Sequence, residues 1–331
     1  MRDVWRAWTG RSTGRMSIAA ISLVCALAIY GIDAATSAVG GSGSAGTVRA
    51  ALPGHILFGH SGDIWEAEEG STAPITQGGR YWGQPDGSPD GTRLAIVGWN
   101  QNSSDIYVLN VDGSDLHQIT RGQSARVQAN EWAFYPRWSP DGQLLAYLSD
   151  RSSQYAMLWV MRPDGTGARQ VTRPRAGLDA FDTYTWSPDG SEIAITGFSG
   201  TSSQIYTINV SRADVPVAIT NEAGGAFDPT WSPDGRHIAY MARDGKRDAL
   251  RVIDATGEEE PATLAIMDVA RSPRWSPNGG SLAYLSLAGA EFELFVMDVS
   301  QDADGKLVAG RSTQMTGRFG VDATSGLSWI P

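Results

Sequence analysis

One phrase recurs along this chain and limits what it can fold into. RWSPDGQLLAYLS begins at Arg137, TWSPDGSEIAITG at Thr185, TWSPDGRHIAYMA at Thr230 and RWSPNGGSLAYLS at Arg274. The leading tryptophans, Trp138, Trp186, Trp231 and Trp275, are 48, 45 and 44 residues apart, and Trp329 follows in LSWIP. A degenerate copy, GSPDGTRLAIVG, begins at Gly87 with glycine in place of the Trp. A fixed period of this length marks a repeat architecture, in which each unit buries its core only against its neighbours.

Each unit reads as four short strands, A to D. The Trp segment is A and the LAYLS-type run is B. A second apolar run is C: IYVLN at 106, LWVMR at 158, IYTIN at 205, LRVID at 250 and LFVMD at 294. A short piece such as HQIT, RQVT or VAIT is D. In LAYLS both alternating sets are apolar, Leu145 and Tyr147 on one side and Ala146 and Leu148 on the other, so the strand is covered on both faces. Four-stranded units of this length, buried on both sides, describe the blades of a β-propeller. HILFGH, DIWEAE and APITQ, between 55 and 77, supply three strands of a first blade that lacks its Trp strand, and LSWIP at 327–331 supplies it from the other end. The expectation is an all-β, six-bladed β-propeller over residues 55–331, its ring closed by the C-terminal strand.

Ser-Pro-Asp-Gly is turn chemistry. Pro presets φ, Asp hydrogen-bonds the backbone locally, and Gly adopts the left-handed conformation that follows. Trp138, Trp186, Trp231, Trp275 and Trp329 recur once per unit and are assigned to packing between blades. QDADGK at 301–306 lacks the later ligands of a calcium loop and reads as a hairpin.

The repeated phrase resembles the TolB-type propeller repeat, the WD-like PD repeat, over roughly residues 55–331. The resemblance implies the fold. For function it implies a choice, because such repeats occur in the Tol envelope protein, in prolyl-oligopeptidase relatives and in pectin-degrading lyases. TolB places an α/β domain before its propeller where this chain has only residues 39–54, and prolyl-oligopeptidase relatives append a hydrolase domain. The expected role therefore lies outside both systems.

Residues 1–16 carry four Arg, residues 17–32 (SIAAISLVCALAIYGI) are apolar, and small residues follow. That order is an export signal. A helix of this length reaches about 24 Å against a hydrocarbon core of roughly 30 Å, between a signal peptide and a transmembrane anchor. Residues 1–38 are read as signal peptide or signal anchor with one hydrophobic helix, and the Gly/Ser-rich residues 39–54 as a tether. The arginines keep the N-terminus inside, which sends the propeller to the periplasm or cell surface. The one cysteine, Cys25, lies in the apolar segment, so the propeller has no disulfide and no Cys-based zinc site. A net charge of −10, with four Arg spent in the leader, argues against nucleic acid.

The tight A–B and C–D turns share one face of the ring. The B–C loops and the D–A links share the other, and varied loops are where binding residues tend to sit. The links are aromatic and acidic. Arg80, Tyr81, Trp82, Glu131, Trp132, Phe134, Tyr135, Asp179, Phe181, Asp182, Tyr184, Phe227, Asp228, Asp268, Arg271 and Asp322 are the candidates to ring the mouth of the central channel.

Catalytic patterns are sparse. His55, His60, His117 and His237 show no metal-ligand spacing, and the G-x-S-x-G match at 10–14 sits in the basic leader without a strand or helix around it. The reading is a monomeric, extracytoplasmic binding module without metal or cofactor, touching the membrane only through its leader and taking an envelope protein, peptide or glycan. The alternative is a propeller enzyme, a polysaccharide lyase or hydrolase or a peptidase-like one, that uses the carboxylates of the mouth.

Overall fold

The computed structural model describes residues 54–68, 71–126, 129–173, 178, 180–212 and 215–331. The leader, nearly all of the tether and Asp179 lie outside the described residues. The described residues form a six-bladed β-propeller of six four-stranded antiparallel sheets. Blade 1 joins β24 (Leu327–Ile330) to β1 (His55–His60), β2 (Asp63–Glu68) and β3 (Ser71–Pro74). Blade 2 is β4 (Tyr81–Gly87), β5 (Arg93–Trp99), β6 (Ser104–Asn110) and β7 (His117–Gln118). Blade 3 is β8 (Ala133–Trp138), β9 (Leu145–Ser149), β10 (Met157–Met161) and β11 (Arg169–Gln170). Blade 4 is β12 (Ala180–Trp186), β13 (Glu192–Ser199), β14 (Ser202–Asn209) and β15 (Val217–Ala218). Blade 5 is β16 (Ala226–Trp231), β17 (His237–Asp244), β18 (Arg247–Asp254) and β19 (Ala262–Met267). Blade 6 is β20 (Ala270–Trp275), β21 (Ser281–Ala288), β22 (Glu291–Gln301) and β23 (Leu307–Gln314).

The core is distributed over the junctions. Leu145 and Tyr147 of blade 3 pack with Ile106 and Val108 of blade 2, while Ala146 and Leu148 on the opposite face pack with Ile193 and Ile195 of blade 4. Each Trp is 5–9% exposed and faces the preceding blade: Trp138 meets blade 2, Trp186 blade 3, Trp231 blade 4, Trp275 blade 5 and Trp329 blade 6. At the junction of blades 1 and 2 the position is Gly87. A Cβ there would come within 2.4 Å of Ile330 Cγ2, so the C-terminal strand occupies the space that a side chain at 87 would need.

The repeat motifs make repeated hydrogen bonds. In each SPDG turn the Ser hydroxyl donates to the Asp carboxylate at 2.5–2.6 Å and accepts the N–H that opens strand B at 2.9–3.0 Å. From blade 3 onward the turn glycine lies against the proline of the preceding blade's turn, as Gly142 does on Pro89 and Gly190 on Pro140. The Thr of the IT piece is a clamp. Thr76, Thr120, Thr172, Thr220 and Thr316 accept the N–H of Ile64, Ile106, Leu158, Ile205 and Leu294 on strand C at 2.8–3.0 Å.

The innermost strands carry a bulge. Pro85, Pro136, Pro229 and Pro273 stand two residues before the Trp position, cannot donate to strand B, and break the ladder there. The preceding residue turns left-handed in each case: Gln84 (φ 53), Tyr135 (φ 52), Asp228 (φ 54) and Ser272 (φ 54). Blade 4 has Tyr184 in place of Pro, and its bulge moves one residue earlier, to Asp182 and Thr183.

Two tests follow. Gly87→Ala is expected to cost about 1–3 kcal/mol by overpacking the seam, with a double variant carrying Ile330→Ala less destabilised than the sum of the singles, read by denaturant titration. The turn carboxylates provide the second. The Ser hydroxyl and a backbone amide hold Asp90 down at about 2 and keep Asp141 and Asp189 below the usual range. Against the opposing effect of burial, Ser232 and the Arg236 amide do the same for Asp234. With folded pKa values below the unfolded value, their stabilisation is present above pH 4 and is lost as the pH falls toward 2. Replacing all four by Asn, the residue already present at 278, is expected to flatten the fall in melting temperature between pH 4 and pH 2.

Candidate functional site

The innermost strands stack two rings of side chains about the axis. The lower ring holds the residues just before each Trp position: Asp86, Arg137, Thr185, Thr230, Arg274 and Ser328. Arg137 lies 3.6 Å from Asp86 with side-chain exposures of 8% and 14%, so this level of the channel is nearly filled. Arg137 also donates to the carbonyls of Pro85 and Pro136, Asp86 accepts the Trp138 N–H and the Ser328 hydroxyl, and Arg274 donates to the Leu327 carbonyl. Burial pushes the Asp86 carboxyl up, while Arg137 and Arg274 pull it back. Burial and the charge of Arg137 draw Arg274 down to about 9. Tyr184 reaches into the same region and donates to the Tyr135 carbonyl at 2.6 Å. The lower level of the channel is thus occupied by side chains.

The upper ring comprises the bulge residues, and sequence reasoning missed Gln84, Thr183 and Ser272 among them. Their common position, three residues before the Trp, was the available signal. Gln84 accepts the Tyr135 N–H, and Thr183 donates to Asp228 Oδ1 at 2.9 Å. Asp228 Oδ2 accepts the Ser272 N–H at 3.0 Å. Asp228 is therefore a bracket between the inner strands of blades 4, 5 and 6. Asp182, displaced by the shifted bulge, is different. Its Oδ1 is buried and has no hydrogen-bond partner. Burial first, and then the charge of Asp228, raise its carboxyl to about 7. The Tyr135 phenol is pushed well up by burial and by the charges of Asp182, Asp228 and Asp322.

The remaining candidates divide. Tyr81, half-exposed, donates to Asp322 across the seam, and Asp322 also accepts from Thr324. Arg271 covers the Phe227 ring at 4.6 Å and lies 3.5 Å from the buried Asp248. Trp82, Phe134 and Phe181 do not face the mouth. At 7%, 4% and 1% exposure they belong to the junction cores, because strands β4, β8 and β12 begin early enough to give these residues the blade-facing alternation. Arg80 packs over Trp82 and Tyr107 and donates to the Tyr107 hydroxyl. Trp132 is partly buried against Trp99, Glu131 lies in a cleft between blades 2 and 3, and Asp268 is an exposed rim partner of Arg247 at 3.3 Å. Asp179 lies outside the described residues. The structure therefore brings together Tyr135, Asp182, Asp228 and Asp322, with Arg271 nearby. Among the described residues no group of three His, Cys, Asp or Glu side chains is placed to hold a metal ion.

Asp182 supplies a test. Its folded pKa near 7 lies above the unfolded 3.8, so it lowers stability progressively as the pH rises through that interval. Asp182→Asn is expected to stabilise the propeller by about 2–4 kcal/mol at pH 8 and by little at pH 4, measured by denaturant unfolding at both.

No family model matches the chain. It is 36% identical over 114 residues to the uncharacterized peptidase YuxL of Bacillus subtilis, covering 34% of this chain and 16% of that protein. It is 26% identical over 141 residues to a TolB homolog of Chlorobium luteolum, covering 43% of this chain and 29% of that one. In both cases the match spans less than a third of the relative. Among solved structures, TolB from Acinetobacter baumannii superposes with a TM-score of 0.66 at 19% identity over 86% of this chain and 68% of that one. An oligogalacturonate lyase in complex with manganese superposes with a TM-score of 0.54 at 14% identity, over 82% of this chain and 74% of that one. Similarity at this level carries the architecture, and this chain has the six-bladed β-propeller fold of the TolB type.

Proposed function

We propose that the chain is an extracytoplasmic, non-catalytic binding module, and that a protein, peptide or glycan of the cell envelope enters the loop-face mouth. The observation that carries this reading is the buried, unpartnered Oδ1 of Asp182 beside Asp228 and Tyr135. An unpaired buried acceptor costs free energy, and a ligand N–H or O–H would recover it. The likeness to TolB supports the setting. Chain direction supports access: β1 starts and β24 ends on the face of the SPDG turns, so a tether before His55 leaves from the side opposite the mouth. The lower ring limits the ligand to a tip that enters and stops, such as a side chain, a chain end or a sugar.

The same carboxylates favour a second reading. Two neighbouring carboxylates, one of them held near neutrality, are the arrangement of an acid/base enzyme. A peptidase-named relative and a lyase of the same fold make peptides and polysaccharides its natural substrates.

One experiment separates the two. An array of envelope-derived peptides and glycans is probed with the full chain and with Asp182→Asn plus Tyr135→Ala, and each hit is then incubated for product release. Loss of capture by about tenfold or more in a folded variant, with no turnover by the parent, is the expected result. Turnover abolished by Asp182→Asn would transfer the case to the enzyme, and undiminished capture would remove the mouth from the function.

A further inference from the structure

Glu131, expected at the mouth, lies instead in a cleft of about 380 Å³ between blades 2 and 3, which shares no residue with the set formed by Tyr135, Asp182, Asp228 and Asp322. This volume is within the range of small-molecule sites. Two close backbone approaches pin the blades at its ends. A Cβ on Gly122 would meet the Glu131 carbonyl at 2.3 Å, and one on Gly165 would meet the Ile119 carbonyl at 2.5 Å. The blades can approach this closely only because both positions are glycine, so the space between the pins is built in. Its floor is made by Ala133, Tyr147 and Met161, each at most 5% exposed.

The opening carries two arginines and two carboxylates, of which Asp164 is held by its own turn, accepting the Thr166 N–H and hydroxyl. Arg121 comes from the segment after β7, and Arg151 from the loop after β9. Arg151 is preorganised: its guanidinium lies 4.9 Å over the Trp159 ring. Its carboxylate neighbour Glu131 is 3.8 Å away, beyond hydrogen-bond reach, and both side chains are 41% exposed. Such a pair contributes little, and an incoming carboxylate would compete for the guanidinium on favourable terms.

We propose that this cleft is a second binding site, for a small carboxylate whose body lies between the cleft walls and whose anionic group takes Arg151 and Arg121 in place of Glu131. The site is independent of the mouth. A fixed guanidinium fork matches a planar carboxylate in a bidentate manner, and the second arginine adds charge at the point where the body leaves the cleft.

The test uses benzoate as probe and benzamide as its uncharged counterpart, titrated calorimetrically into the full chain at low ionic strength. Benzoate is expected to bind and benzamide not. Arg151→Gln is expected to weaken benzoate by about tenfold or more, as loss of a charged hydrogen bond does. Glu131→Gln, which removes the competitor and leaves the arginine, is expected to tighten it. The opposite signs separate loss of the site from loss of the fold. Equal binding of the two probes, no heat with benzoate, or weaker binding in Glu131→Gln would each overturn the proposal.

Discussion

The structure depends on the fact that no blade can cover itself. Strand B of every unit is apolar on both faces, and one four-stranded sheet has no means of burying both. Leu145 and Tyr147 need blade 2, while Ala146 and Leu148 need blade 4. The same need runs around all six units, so the arrangement is stable only as a closed ring in which every face meets another. The C-terminal strand is therefore a requirement of the fold. Without β24, blade 1 would lose its innermost strand, and Trp329, Ile56 and Phe58 would no longer close over blade 6. Gly87 shows how far the sequence is adapted to that event, since the repeat gives up its Trp at the one junction where Ile330 arrives.

Closure also separates the two faces by purpose. One face is bound up in local hydrogen bonds, with Ser, Asp and Gly of each turn satisfying one another and, from blade 3 onward, the glycine resting on the neighbouring proline. Little polar capacity is left there for a ligand. The other face is where the bulges lie. A left-handed, non-glycine residue is costly, and four of them at the same repeat position hold Gln84, Tyr135, Asp228 and Ser272 over the axis. The ring over-determines these conformations through the bonds between inner strands, such as Asp228 to Ser272 and Gln84 to Tyr135. A rigid scaffold that keeps strain at the rim preorganises the side chains there.

Much of this was legible in the sequence, because its signals are periodic. The blade count, the strand order, the borrowed last strand and the packing role of the Trp residues follow from a phrase that repeats and a burial pattern that alternates. The site was less legible, for a definite reason. Trp82, Phe134 and Phe181 read as link residues, but the inner strands start before them and alternation turns them into the cores. Glu131 was placed by its position in a link, and the link bends away from the axis toward a neighbouring blade. The Arg137–Asp86–Arg274 cluster was not foreseen because its members are far apart in sequence and meet only when the ring closes. Asp182 was named as one carboxylate among many. Its distinction comes from a bulge displaced by a single residue, which follows from Tyr184 standing where four of the other blades have Pro.

In a repeat protein the departures from the repeat are the informative residues. The regular positions are already explained by packing, and a second role for them would need a second reason. The departures here converge on two places. Tyr184 for Pro shifts the bulge of blade 4, leaves Asp182 with an unpartnered oxygen, and sends a phenol to the Tyr135 carbonyl of the neighbouring blade. At the blade 2 to blade 3 junction, Gly122 admits the Glu131 carbonyl, and Arg151 lies on Trp159 with only a loose acidic neighbour. The charge of each place follows from its neighbours. At the axis the lower ring sets Arg137 and Arg274 against one carboxylate, Asp86, with backbone carbonyls accepting further donors, and the upper ring adds carboxylates. At the outer cleft the acid is the weakly held partner and the guanidinium the fixed one. One fold thereby sets carboxylates over its axis and a loosely paired arginine on its wall.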